Sequence, residues 1–198
     1  TWRGGEQQTL YILEGLISQG IDCQLMAIKD SLMHQRAIAI GISVIAVKSM
    51  TDALKKLSNL KGEFDCIHAQ TGKSHTQCIL TKIFHRIPVI YTRRVNYIPS
   101  SFLSKLKYKY TDQVVSISNA ISKTLTSSGA SKNTPVIYSA IKHIDLNSDK
   151  ANQLIKSLKI DKHTKIIGII SAFELEKDIN IALKTINFLR KTRDDFVV

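Results

Sequence analysis

Along most of this 198-residue chain, apolar runs of four to six residues alternate with stretches of helical period about ten residues long. That alternation constrains the fold more than any other feature. A strand followed by a helix, then by another strand, brings consecutive strands side by side in parallel, because the helix carries the chain back to the starting edge. Helices then cover both faces of the sheet, so the strands read as nearly continuous apolar runs. The expected strands are 21–28, 42–47, 64–69, 88–92, 114–117 and 135–138. Helices are expected from residue 10 to 17, closed by Gly20, and over 31–39, 53–60, 74–86 and 119–127. Thr51-Asp52 offers a cap for 53–60, Ser100-Ser101 caps a basic helix reaching Tyr110, and Gly129 closes the helix over 119–127. The fold class is therefore α/β, a doubly wound Rossmann-like parallel sheet.

Near residues 142–150 the pattern lapses. His143-Ile144-Asp145-Leu146-Asn147-Ser148 is polar and irregular, as a hinge would be. Two domains are expected, residues 1–146 and 147–198. The second would hold a helix at 151–158, a strand at 165–170, a helix at 176–191 and a strand opening at 195. So few elements bury little apolar surface, and this part is expected to be the incomplete start of another α/β domain. At the other end, the first helix has no strand ahead of it, so the expected sheet lacks its first, central strand. Cys23, Cys66 and Cys78 show no C-x-x-C spacing and are expected as buried, reduced thiols, which suits a cytoplasmic protein. No apolar run approaches the roughly 18 residues of a spanning helix.

Gly4-Gly5 runs directly into the first helical pattern, Leu10, Leu13, Leu16 and Ile17. Paired glycines ahead of a helix allow close backbone approach by a ligand, and the free N–H groups of the first turn favour an anion. Charge points the same way. The net charge is +12, and from Cys66 to Thr111 there is no acidic residue at all. Lys73, Lys82, Arg86, Arg93, Arg94, Lys105, Lys107 and Lys109 fall in that stretch, which creates a sustained positive field. Nucleic acid, anionic lipid and phosphorylated substrates all suit such a field.

Several segments together carry a resemblance. Gly4-Gly5-Glu6, Asp65-Cys66-Ile67-His68, Pro88-Val89-Ile90-Tyr91-Thr92-Arg93-Arg94, Val115-Ser116-Ile117-Ser118-Asn119-Ala120-Ile121, and Ile167-Gly168-Ile169-Ile170 followed by Glu176-Lys177-Asp178 resemble family 4 glycosyltransferases. These are the group 1 nucleotide-sugar enzymes of GT-B architecture. Each motif is weak, and their order and spacing carry the likeness. The resemblance implies two Rossmann-like domains facing a cleft, the donor held mainly by the C-terminal one and the acceptor by the N-terminal one. It also implies transfer from a nucleotide-diphosphate sugar to a glycan or lipid-linked acceptor of the cell envelope, such as lipopolysaccharide. That transfer would be metal-independent, retaining at the anomeric carbon and without a cofactor. The family's E-x7-E motif falls beyond Val198, so these 198 residues alone are expected not to turn over substrate.

The leaving diphosphate gathers negative charge, which without a metal must be met by N–H groups and cations. Gly4 and Gly5 would supply the first, and Lys177 resembles the family's phosphate-binding lysine. The arginine usual five residues earlier is Ala172 here. Arg93 and Arg94 close an expected parallel strand, at the edge where open α/β sheets bind ligands. Many relatives have histidine where Arg94 stands, and arginine clamps phosphate or carboxylate in two-pronged fashion. These two arginines and His68 are the candidates for acceptor or donor-sugar recognition, with no catalytic residue assigned. Ser118 reads as a helix cap.

Other classes fit less well. There is no G-x-G-x-x-G for a dinucleotide enzyme, no G-x-S-x-G elbow for a hydrolase, and no zinc spacing. The remaining alternative is a non-enzymatic, basic α/β nucleic-acid-binding module, with Tyr91, Tyr97, Tyr108 and Tyr110 available to stack on bases. Residues 101–110 mix Phe102, Leu103 and Leu106 with Lys105, Lys107 and Lys109, the composition of a helix lying on an anionic membrane. The expected partners are therefore a nucleotide-diphosphate sugar, a glycan or lipid-linked acceptor and an anionic membrane surface on the cytoplasmic side, rather than nucleic acid.

Overall fold

A computed structural model describes residues 2–99, 101–143, 145–161, 163–171, 173 and 177–198. The chain divides into two compact units, Thr1–Lys142 and His143–Val198. In the first, α1 (Gly4–Ser18) leads to β1 (Gln24–Ile28), α2 (Leu32–Ala39), β2 (Ser43–Val47) and α3 (Met50–Ser58). Then follow β3 (Ile67–Ala69), α4 (Gly72–His85), β4 (Val89–Arg93), α5 (Phe102–Lys109), β5 (Gln113–Ser116) and α6 (Asn119–Ser127). Every pairing is parallel. β1 pairs with β2 from Gln24–Ser43 to Ile28–Val47. β4 lies between β3 and β5, with Ala69 opposite Tyr91 and Arg93 opposite Ser116. The β1-β2 and β3-β4-β5 ladders form separate sheets, yet Met26 and Ile45 of the first pack on the core of the second.

The helices after strands begin alike. Ser31, Ser49, Thr71, Ser101 and Ser118 each accept the N–H of the residue three positions on. Such a cap contributes about 1 kcal/mol and sets the helix start within a residue. α3 accordingly starts at the Ser49 cap and not at Thr51-Asp52 as expected. Gly20 and Gly129, at φ +80° and +69°, end α1 and α6 in the left-handed region that favours glycine. The expected strand at 135–138 is only a single parallel bridge, Ser116 to Val136. Cys78 is buried in α4, but Cys23 is half-buried and Cys66 is exposed just before β3, against the expectation of three buried thiols.

The main core joins Leu57, Cys78, Val89, Tyr91, Val114, Ile121 and Leu125. Leu125 is fully buried, so Leu125→Ala should leave a cavity and cost about 2–5 kcal/mol, read as a lowered thermal midpoint. Asp112 joins α4 to the sheet. Its carboxylate accepts the Val89 N–H at 2.6 Å and pairs with Lys82 at 2.5 Å. Burial opposes its ionisation, but those two partners outweigh it and hold the carboxyl below the usual range.

The second unit holds α7 (Ser148–Ser157), β6 (Lys165–Ile166), α8 (Ile179–Leu189) and β7 (Phe196–Val197), with β6 and β7 parallel. Both strands are shorter than expected. Asp195 pairs with Arg193 and with Lys165 and holds the strand pair together at one end. Leu183, Phe188 and Ile170 remain exposed there, as expected of so small a unit.

Candidate functional site

The site is built at the carboxyl edge of β3 and β4, beside the start of α1. Trp2 fixes that start: its indole N–H donates to Gln7 Oε1 at 3.2 Å, and the Arg36 guanidinium lies 3.9 Å from its ring. The N-cap is Arg3, whose guanidinium has donors only and so cannot cap the first-turn N–H groups. The Arg3 N–H donates to the Glu6 carboxylate at 3.1 Å. Gly4 and Gly5 then form the first turn. Neither has positive φ, and a Cβ on Gly4 would meet nothing within 4 Å. On Gly5 it would meet Arg94 Cδ at 3.9 Å, an ordinary contact. Packing therefore does not require the glycine pair, although glycine in a helix costs roughly 1 kcal/mol against alanine. The pair leaves the first-turn N–H groups without side-chain bulk in front of them.

Arg94 is the cation beside that end. It follows β4 directly and donates from Nη2 to Gln70 Oε1 at 2.6 Å, Gln70 following β3 in the same way. Its Nε is buried without a hydrogen-bond partner, and among the described residues no carboxylate pairs with it. A half-buried guanidinium with an open donor, next to uncapped helix N–H groups, favours an anion. His68 completes the group. Its Nε2 shares a 2.7 Å hydrogen bond with Thr92 Oγ1 across the sheet. Burial, then the Arg94 charge, pushes the imidazole pKa down to about 4, so it is neutral near pH 7. The arrangement can bind a phosphate or carboxylate on Gly4, Gly5 and Arg94 and offer a neutral imidazole beside it.

The other expected residues lie elsewhere. Arg93 turns inward and is buried, which corrects its expected place in substrate recognition. Its Nε donates to the Val95 carbonyl at 2.9 Å, Nη2 to the Tyr97 carbonyl and Nη1 to the Tyr108 hydroxyl. Lys107, expected among surface lysines, leans back onto α4 and donates to Thr76 Oγ1 at 2.9 Å. Lys105 and Lys109 stay exposed. Lys177 is exposed in the second unit, just ahead of the Asp178 cap of α8. Glu176 and Ala172 lie outside the described residues. Gln70 lies outside the resembling segments and Thr92 lies in one without a role assigned to it, yet each stands at the carboxyl end of a strand, and that position alone could have flagged them. The concavities along α1 are not this site. They are lined by Tyr11, Glu14 and Lys142 further along the helix, where Glu14 and Lys142 pair at 2.6 Å.

No family model and no curated protein sequence matches the chain. Solved structures do. HepE (Alr3699) of Anabaena in complex with UDP and glucose aligns with a TM-score of 0.76 at 16% identity, over 98% of this chain and 56% of that one. Its complex with UDP-glucose gives the same TM-score and identity over 100% and 56%. MurG of Acinetobacter baumannii aligns with a TM-score of 0.53 at 15% identity, over 92% and 54%. The fold is theirs. It is the parallel α/β fold expected of the first half of a GT-B architecture, and the chain spans about half the length of these relatives. Among the described residues no three His, Cys, Asp or Glu side chains gather as a metal would need, and no helix is long and apolar enough to cross a membrane.

Proposed function

We propose that this chain takes part in glycosyl transfer from a nucleotide-diphosphate sugar to a glycan or lipid-linked acceptor of the cell envelope. The observation that carries the reading is Arg94, a half-buried cation with an unpaired Nε beside the Gly4-Gly5 helix start. HepE, which shares the fold, is solved with UDP and with UDP-glucose, and a diphosphate has the charge this place favours. In the transfer the anomeric carbon–oxygen bond to the diphosphate breaks and a bond to the acceptor oxygen forms. The electron pair of the broken bond leaves with the diphosphate, whose freed oxygen takes up the proton that the acceptor hydroxyl loses. Gly4 and Gly5 N–H groups and Arg94 would stabilise that growing charge without a metal. His68, neutral and tied to Thr92, would orient a sugar hydroxyl. Retention at the anomeric carbon belongs to the same proposal.

The alternative of a basic nucleic-acid-binding module keeps its net charge and the exposed Tyr97 and Tyr110, and loses two of its four stacking tyrosines. Tyr91 and Tyr108 are buried, with Tyr91 stacked on His75 at 4.0 Å, so they offer no faces to bases. The test of function uses membrane extracts from cells with and without the natural gene, given a panel of radiolabelled nucleotide-diphosphate sugars. Gene-dependent incorporation into a glycan or lipid is expected for one donor. Equal incorporation from every donor in both extracts would contradict the proposal.

A further inference from the structure

Arg93 ends β4 with its side chain buried, and all its hydrogen-bond partners among the described residues are neutral. They are the Val95 carbonyl, the Tyr97 carbonyl and the Tyr108 hydroxyl. The guanidinium carbon also lies 4.3 Å from the centre of the Tyr97 ring and 5.7 Å from that of Tyr108. Burying a cation without a carboxylate is costly, and an apolar side chain of similar length would fill the same space at less cost. Packing alone therefore does not explain an arginine here.

The loop it holds does explain one. Residues 94–99 follow β4, and among the described residues their backbone makes no hydrogen bond to other backbone. The Arg93 side chain supplies the anchorage that the ladder no longer gives. On one side of Arg94 the chain is fixed by β4, where Arg93 lies opposite Ser116 and its carbonyl accepts the Ile117 N–H at 3.3 Å. On the other side the Val95 carbonyl is fixed at 2.9 Å by Arg93 Nε. Arg94 is thus the middle residue of a small ring closed by its neighbour's side chain. Successive side chains of extended backbone leave opposite faces, so drawing Arg93 inward sends Arg94 out. There Arg94 donates to Gln70 at 2.6 Å, and its Cδ lies 3.9 Å from where a Cβ on Gly5 would stand.

We propose that Arg93 is a positioning residue: by gathering the Val95 and Tyr97 carbonyls, its guanidinium aims Arg94 at the start of α1. Arg93 touches no ligand in this role. Arginine suits it because one planar fork reaches two carbonyls and a hydroxyl in a fixed geometry, which a lysine ammonium on a flexible stem does not. The aim stands on these contacts alone. That it serves a diphosphate rests on the function proposed above.

Two NMR readouts on the 198-residue chain decide it. The first is the nuclear Overhauser contact between the Arg94 δ-protons and the Gly5 α-protons. It should be present in the wild type and in Tyr108→Phe, which keeps both loop carbonyls on the guanidinium, and absent in Arg93→Met. The second is a double-mutant cycle on the affinity for inorganic pyrophosphate. Arg93→Met and Arg94→Met should each lose about tenfold or more, and the double variant less than about twofold beyond the weaker single one. A general loosening of the core would instead act independently of Arg94 and give losses that multiply. Unchanged circular dichroism confirms folding, and Arg93→Lys replaces Arg93→Met if that variant fails. An Arg94–Gly5 contact that persists in the folded Arg93 variant would overturn the proposal, and so would multiplying losses. A wild type that shows the contact and does not bind pyrophosphate would overturn the diphosphate reading, and loss of the contact in Arg93→Met would still establish the positioning.

Discussion

Lowering the pH from 7 to 5 should destabilise this fold by about 4 kcal/mol, mostly through two histidines. His75 is buried in α4, stacked on Tyr91, with Nε2 2.7 Å from Thr111 Oγ1. Thr111 gives its own proton to the Lys107 carbonyl at 2.7 Å, so the imidazole must be the donor to Thr111. Burial, then Lys107 and Arg93, pushes its pKa down to about 3, and that of His68 falls to about 4. In the unfolded chain both titrate near the usual 6.5. Between those values the unfolded state binds more protons, so stability is fully present above about 6.5 and is lost as pH falls below it. By pH 5 each histidine accounts for about 2 kcal/mol. His85 shifts in the same direction through its burial, which outweighs the opposing pull of the Cys78 carbonyl facing its Nε2 at 3.1 Å. Urea midpoints measured from pH 7.5 to 5 should fall steadily. His75→Phe keeps the stack without the titration and should flatten the slope by about one proton. A flat midpoint over this range, or an unchanged slope in His75→Phe, would contradict the assignment.

Much of the architecture was legible because it depends on local pattern. The runs at 42–47 and 114–117 became β2 and β5 with shifts of a residue, since β-branched runs bounded by Gly41 and Asp112 have few other uses. The helix over 119–127 was placed to the residue by Ser118 and Gly129. Where the reading overreached, tertiary contacts decided. Residues 135–138 are apolar enough for a strand, but they pair with β5 at a single bridge, Val136 opposite Ser116, whose N–H and carbonyl bond Pro135 and Ile137. Residues 64–66 stand before β3, where the chain has no neighbour to pair with, and Cys66 is left in solvent.

The candidate site was legible in part, for a different reason. Gly4, Gly5, His68 and Arg94 carry motif signals, and the fold brings Gly5, Arg94 and the His68 strand to one edge. Adjacent arginines look equivalent in sequence. Where β4 ends they cannot be, because successive side chains of extended backbone leave opposite faces. Arg93 goes inward to carbonyls and tyrosines, and Arg94 goes to the edge. The same blindness applies to Lys105 and Lys107 on α5, where only the helix's packing on α4 separates a free cation from an engaged one.

The other large effect expected is on ligand binding. Arg94→Met should remove one charge-assisted contact to a diphosphate, about 1.5–3 kcal/mol or roughly a 10- to 150-fold loss of affinity. Gly5→Val should remove binding by sterics while the chain still folds, since even the added Cβ meets only Arg94 at contact distance. The most direct measurement is an NMR titration of the 198-residue chain with UDP-glucose, with inorganic pyrophosphate as a second probe. The expected result is saturable shifts at the Gly4, Gly5 and Glu6 amides and the Arg94 Nε–H, weakened at least tenfold by Arg94→Met. Shifts confined to other signals, or identical titrations in wild type and Arg94→Met, would contradict a diphosphate site at the start of α1.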